Sequence, residues 1–295
     1  MTNLADKKIL IIGCSGLVGS TLFKMIPHSV GAYNKEPIRG NCIKMDITNM
    51  EDVNKIIQSF RPDIIIHTAA LTDVDYCEDK REEAYNVNVE GTKNIVEAAK
   101  SVNAKVAYIS TDYVFDGTNG PYSEDDETNP LGYYAKTKLE GENLVKTSGL
   151  PYIIIRTTVV YGVEDKKLNF ALWLLKQLES GRKVNIANDQ YSSPTLSTDL
   201  ARTIIRLLEN GKTGLYNVSG SEVVNRYDFA LRIAEAFNLE KDLITPISTK
   251  ELNQKAPRPM KAGLKVDKIT KELGISPQTI LEALKEFKAE VDYAK

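Results

Sequence analysis

The feature that most constrains the fold is the rhythm of the first half, where short apolar runs alternate with amphipathic stretches. Lys8-Ile9-Leu10-Ile11-Ile12-Gly13 is apolar at every internal position, so it reads as a strand covered on both faces. Weaker strands are expected at Ser29–Tyr33 and Cys42–Met45, and stronger ones at Asp63–Thr68, Lys105–Ser110 and Pro151–Arg156. Helical patterns separate them over Leu17–Ile26, Met50–Phe60, Glu83–Ser101 and Tyr133–Thr147. Strands joined through helices pair in parallel, and right-handed crossovers then place helices on both sheet faces. The expected fold class is α/β, a doubly wound parallel sheet over residues 1–160, with a smaller C-terminal α/β lobe over 161–295.

In that second part Phe170–Ser180, Ser197–Asn210, Arg226–Asn238 and Pro277–Glu290 read as helices. Leu215–Val218 reads as a short strand, and part of 196–218 is expected to return to the first domain. Pro246–Gly263, which holds Ala256-Pro257-Arg258-Pro259, reads as loop.

Composition narrows the function classes. A net charge of −2 argues against nucleic acid as a partner. No apolar run approaches the roughly 20 residues that span a bilayer, so no membrane is expected, and Met1–Lys8 lacks the apolar centre of a signal peptide. Cys14, Cys42 and Cys77 are odd in number and far apart, which suits a reducing cytoplasm. With only His28 and His67, no metal centre is expected.

Gly13-Cys14-Ser15-Gly16-Leu17-Val18-Gly19 follows the first strand and opens the first helix. Glycines there allow a tight turn and close backbone approach to a pyrophosphate, and the helix N-terminus offers N–H groups and partial positive charge. This is the dinucleotide position of a Rossmann-type sheet, although the spacing is GxxGxxG rather than GxGxxG. Gly13, Ser15, Gly16, Leu17 and Val18 are therefore candidate cofactor residues. After the second strand, Gly31-Ala32-Tyr33-Asn34-Lys35 carries no acid to hydrogen-bond a ribose 2′-hydroxyl, and Lys35 beside Asn34 suits a 2′-phosphate. NADP(H) is favoured over NAD(H). Asp46 either caps the next turn or hydrogen-bonds the adenine amino group, and Ile47 packs on the ring.

Tyr134 and Lys138 lie four apart on an expected helix and share a face. Tyr76 and Lys80 repeat the spacing, but in an acidic stretch that reads as surface. Ser110-Thr111 ends the fifth strand, where such folds carry their chemistry. A phenol with a pKa of about 10 exchanges protons slowly at neutral pH, and an adjacent ammonium favours its phenolate. Thr111 would orient a substrate carbonyl, Tyr134 would protonate its oxygen, and Lys138 would also hold the nicotinamide ribose.

At these residues the chain resembles the extended short-chain dehydrogenase/reductase superfamily, and more narrowly the dTDP-4-dehydrorhamnose reductase family. The matching segments run nearly its whole length: Gly13–Gly19, Thr68–Ala70, Thr72–Asp75, Asn86–Asn88, Ser110–Gly117, Tyr134–Glu142, Arg156-Thr157, Asp189–Tyr191, Ser193–Thr195 and Arg258-Pro259. The resemblance implies reduction by NAD(P)H of the C4 ketone of a nucleotide-diphosphate sugar, dTDP-4-dehydro-L-rhamnose, to dTDP-L-rhamnose. By position it implies that Thr111, Tyr134 and Lys138 are catalytic and that Ala69 and Ala70 join the cofactor residues, together with Asp46 and Ile47. Asp75, Val114 and Phe115 would border the sugar, and Arg258 would lie near the diphosphate. It also implies a homodimer through a bundle of the helices Glu83–Ser101 and Tyr133–Thr147.

Two departures concern the substrate. Val159 stands where many members have tryptophan, and Lys261 and Ala262 follow Arg258-Pro259-Met260 where the family carries asparagine and serine. A sugar-nucleotide dehydratase would need a glutamate after Asp112, and Tyr113 is there instead. A nucleotide-sugar 4-epimerase shares the fold. A non-catalytic NADP-binding regulatory subunit, such as the β subunit of methionine adenosyltransferase, resembles the same family. Of the remaining features, Glu124-Asp125-Asp126-Glu127 reads as a solvated turn, His67 as a locally hydrogen-bonded side chain, and Cys14 as a position where backbone rather than thiol matters.

Overall fold

Ile9 and Ile11 point to one face of the central sheet and Leu10 and Ile12 to the other, and all four are at most 1% exposed. A strand apolar on both faces needs helices on both, and the computed structural model, which describes residues 3–163 and 168–294, has that arrangement. In chain order the sheet strands are β1 (Ile9–Ile12), β2 (Val30–Tyr33), β3 (Cys42–Lys44), β4 (Ile64–His67), β5 (Lys105–Thr111) and β6 (Tyr152–Thr157). The first-half helices are α1 (Leu17–Met25), α2 (Met50–Phe60), α3 (Val74–Asp79), α4 (Arg81–Tyr85), α5 (Gly91–Val102) and α6 (Tyr133–Lys146).

The second half adds β7 (Val160–Tyr161), α7 (Phe170–Glu179), β8 (Val184–Ala187), β9 (Tyr191–Ser192), β10 (Thr195–Leu196) and α8 (Ser197–Glu209). It continues with β11 (Gly214–Asn217), β12 (Val224–Asn225), α9 (Arg226–Ala236), β13 (Ile244–Ile247), α10 (Asp267–Leu273) and α11 (Ile280–Ala294). The seven-stranded sheet has the order β11-β6-β5-β4-β1-β2-β3 and is parallel throughout. β11 extends it beside β6, with Leu215 opposite Ile154. α8 packs on α1, and α10 adds Ile269 to the same layer. On the other face Val53 and Ile57 of α2 meet Ile95 and Ala99 of α5.

A third core belongs to the smaller lobe, where Leu174 and Leu178 of α7, Phe229 and Ile233 of α9, and Leu284 and Phe287 of α11 enclose Tyr161. β8 and β13 pair in parallel beneath it, so Ile244–Ile247 is strand where the proline at 246 suggested loop. Among the described residues β13 pairs with β8 alone, and a proline is tolerated on such an edge strand. The helix expected over Glu83–Ser101 is interrupted by a π-helical turn at Asn86–Glu90. No helix among the described residues is long and apolar enough to cross a membrane.

Candidate active site

The cofactor cradle is built from backbone. Gly13 ends β1 with φ +87°, a conformation that strains any side chain, and a Cβ there would lie 2.6 Å from the Ala69 nitrogen. Gly19 presses on the Gly13 carbonyl so closely that a Cβ would overlap it. β1 and the loop after β4 can therefore meet only through glycine. Gly16 precedes α1 with no side-chain cap, so the helix's first N–H groups are presented by backbone alone. This geometry fits a dinucleotide pyrophosphate.

Beside the cradle opens a cavity of about 550 Å³. Gly16, Leu17, Val18, Ala70, Thr111, Tyr134 and Lys138 line it, so the predicted glycine turn and catalytic trio share one space. β5 delivers Thr111 at its C-terminal end, and α6 presents Tyr134 and Lys138 one turn apart. Asn88, within the π-helical turn, accepts from Leu71 N at 2.8 Å and donates to Thr137 Oγ1 at 3.0 Å, fixing the catalytic helix to the loop after β4. Such turns recur at functional sites because they re-aim one side chain inward.

Burial dominates the electrostatics. It raises the Tyr134 phenol above its ordinary range, and the hydrogen-bonding Thr111 hydroxyl opposes this. Burial pushes Lys138 down to about 7, with Glu142 acting the other way. The expected effect of the ammonium on the phenol is thus outweighed by desolvation. At neutral pH the phenol is protonated, the state a proton donor requires. Lys138 Nζ lies 4.0 Å from the centroid of the Tyr108 ring. Thr111 Oγ1 donates to Asp112 Oδ1 at 3.1 Å. Asp112 is 1% exposed, and burial lifts its carboxyl to about 7. Asp112 Oδ2 and the Thr157 and Thr158 hydroxyls are buried on the same wall, where Thr158 hydrogen-bonds the Asp112 carboxyl and opposes its rise. Next to them Val159 has φ +39°, a left-handed conformation that strains a β-branched residue by about 1–3 kcal/mol.

The other predicted residues divide. Ser15 sits half-buried in the turn, and Ala69 abuts Gly13. Asn34 and Asp46 line a second cavity of about 560 Å³ at the β2 end, with Thr48, Lys80, Arg81 and Asn86. Asp46 Oδ1 accepts from the Thr48 nitrogen at 2.9 Å and its hydroxyl at 2.8 Å, so it does shape its own turn. Ile47 is buried against Gly91, while Lys35 is exposed.

Five placements differ from expectation. Val114 and Phe115 are fully buried away from the cavity, because the 3₁₀ turn at Asp112–Val114 redirects the chain inward. There Phe115 stacks on Tyr122 with centroids 4.2 Å apart, beside Leu264. Asp75 and Arg258 pair with each other at 3.1 Å instead of lining the cavity. Arg258 also donates to the Ala256 carbonyl and Asp75 accepts from Ala256 N, so the pair clips residues 256–258 to α3. Glu124 is docked, not solvated: it accepts from Asn217 N at 2.8 Å, while Asp125, Asp126 and Glu127 are exposed. His67 is buried with Nε2 3.1 Å from the Thr92 hydroxyl, a local bond.

Sequence reasoning overlooked Asp112, Phe170 and Arg226 in the cavity wall. Asp112 adjoins the predicted threonine and was open to inference. Phe170 and Arg226 arrive from the smaller lobe, and no local pattern marks them.

The profile of the family described as RmlD substrate binding domain matches residues 7–293. A dTDP-4-dehydrorhamnose reductase from Aggregatibacter actinomycetemcomitans is 36% identical, covering 96% of this chain and 98% of its own. Methionine adenosyltransferase 2 subunit beta from Bos taurus is 33% identical over 94% of this chain and 85% of its own. The crystal structure of a dTDP-4-dehydrorhamnose reductase from Bacillus anthracis in complex with NADP superposes with TM-score 0.86 at 30% identity, covering 98% of this chain and all of the other, 100%. The likeness runs the full length of the chain, glycine turn and Thr111, Tyr134 and Lys138 included, and the chain belongs to the RmlD substrate-binding family, that of the dTDP-4-dehydrorhamnose reductases.

Proposed function

We propose that the protein is an NAD(P)H-dependent reductase of the C4 ketone of a nucleotide-diphosphate sugar, with dTDP-4-dehydro-L-rhamnose the substrate and dTDP-L-rhamnose the product. The observation that carries this is the convergence of Thr111, Tyr134 and Lys138 on one cavity with the glycine cradle. The bound cofactor supplies hydride. Thr111 holds the ketone oxygen, and Tyr134, kept protonated by burial, gives that oxygen its proton. Lys138 steadies the phenolate left behind and holds the nicotinamide ribose. Gly13, Ser15, Gly16, Leu17, Val18, Ala69 and Ala70 hold the pyrophosphate and its surroundings, and Asn34, Asp46 and Ile47 the adenosine. On the cavity wall the Thr157 hydroxyl offers an unpaired polar atom to a sugar hydroxyl.

Residues 1–160, with α8 and β11, form the cofactor side, and the rest of 161–295 the substrate side. NADP(H) is preferred over NAD(H), because β2 ends without an acid to hydrogen-bond a ribose 2′-hydroxyl. The protein works in the cytoplasm as a homodimer through α5 and α6. Light scattering at micromolar concentration checks it.

The test is loss of nicotinamide absorbance when purified protein meets dTDP-4-dehydro-L-rhamnose with NADPH or NADH. Turnover, faster with NADPH, supports the reading. Cofactor binding without turnover on any keto-sugar nucleotide overturns it in favour of a regulatory subunit.

A further inference from the structure

Arg226 is a cation lining the active-site cavity, and its charge opposes the rise that burial imposes on the Asp112 carboxyl and the Tyr113 phenol. Its guanidinium lies over the Phe170 ring, 4.9 Å from the centroid. A guanidinium over a ring keeps its N–H donors available to an anion when its plane lies along the ring. Among the described residues Arg226 forms no ion pair and no side-chain hydrogen bond. The carboxylate two residues on, Asp228, accepts from Asn225 Nδ2 at 2.7 Å and is engaged there. The Arg226 backbone is fixed by its N–H donating to the Gln190 carbonyl at 3.0 Å. A half-buried arginine with a fixed backbone, a ring beneath its guanidinium and no side-chain partner among the described residues is a ready anion clamp. Arg258, the other candidate for that duty, is committed to Asp75.

We propose that Arg226 holds the diphosphate of the nucleotide-sugar substrate, and that it sets the requirement for a diphosphate over a monophosphate. This rests on the proposed function. On that reading the pyrophosphate of the cofactor occupies the glycine cradle, and Arg226, carried by the smaller lobe, meets the second anion to enter the cavity.

The experiment is calorimetric titration of the full-length protein, preloaded with NADP, with dTDP, dTMP and thymidine. It compares the native chain with Arg226→Gln and Arg226→Lys, each checked by thermal melt. The native protein is expected to bind dTDP more tightly than dTMP, and Arg226→Gln to lose about 10- to 100-fold in dTDP affinity. Thymidine affinity and NADP affinity stay unchanged, and Arg226→Lys recovers part of the loss. Equal dTDP affinity in the native protein and Arg226→Gln overturns the proposal, as does failure of the native protein to bind dTDP. A second outcome overturning it is a shifted pH profile of kcat in Arg226→Gln with nucleotide affinity unchanged, since the arginine would then serve Asp112. Because binding is read without turnover, an inactive protein that loses dTDP affinity in Arg226→Gln counts against the reductase reading and not against Arg226.

Discussion

Replacing Glu142 by glutamine tests how the catalytic helix is held. Glu142 lies one turn beyond Lys138 on α6 and is fully buried, 0% exposed. Its carboxylate accepts from Arg156 Nε at 2.9 Å and from a terminal guanidinium nitrogen at 2.8 Å. It also accepts from Ser110 Oγ at 2.6 Å, and Lys146 Nζ lies 3.3 Å away. Arg156 is 2% exposed, so the fork-on-fork pair joins α6 to β6 in the dry interior. Glutamine keeps the shape but trades an acceptor oxygen for an NH₂ group and leaves a buried guanidinium without its counter-charge. Breaking such a pair costs about 3–5 kcal/mol. At about 1.6 °C per kcal/mol for a chain of 295 residues, Tm falls by about 5–8 °C. Removing both charges, as Glu142→Leu with Arg156→Met, leaves no orphaned ion and restores much of the loss. Thermal melts of the three proteins decide the matter. A Glu142→Gln melt within about 2 °C of the native one, or a double variant no more stable than the single, refutes the reasoning.

Two further outcomes follow from the same geometry. Gly13→Ala places a Cβ 2.6 Å from the Ala69 backbone at φ +87°, so it destabilises by at least about 2 kcal/mol and weakens NADPH binding. An unchanged Tm and Kd contradict the cradle. Lys138 titrates near 7 because burial lowers it, so its cation is present below that pH and lost above. The kcat/KM for NADPH, which reports the free enzyme, therefore falls as pH rises through about 7, and Glu142→Gln moves the fall to lower pH. A flat profile across that range contradicts the role of the ammonium.

The sheet was legible because its information is local. Ile9–Ile12 and Ile64–His67 carry continuous apolar runs, and a strand covered on both faces has no other reading. That Thr111, Tyr134 and Lys138 line one cavity was legible for the same reason, since Tyr134 and Lys138 are a helical turn apart and Thr111 ends a strand. What escaped depends on contacts between distant segments. β8 and β13 are short and are strands because they pair with each other across some 60 residues, Val184 opposite Ile244. Val114 and Phe115 stand in a motif beside Thr111, but a motif does not say which side of the chain faces a cavity, and the 3₁₀ turn buries them. The two arginines make the point most clearly. Arg258 carries a recognisable motif and is consumed by Asp75, whereas Arg226 carries none and reaches the site, because only the packing of the smaller lobe decides which guanidinium is free.

The central claim is that the Tyr134 phenol protonates the ketone oxygen. The direct measurement is the single-turnover rate of hydride transfer from NADPH to dTDP-4-dehydro-L-rhamnose in the native protein and in Tyr134→Phe, with NADPH affinity measured in both. The account predicts a rate lower by about 10²–10⁴-fold in the variant with cofactor affinity retained. A rate within about threefold of native at equal cofactor affinity contradicts it.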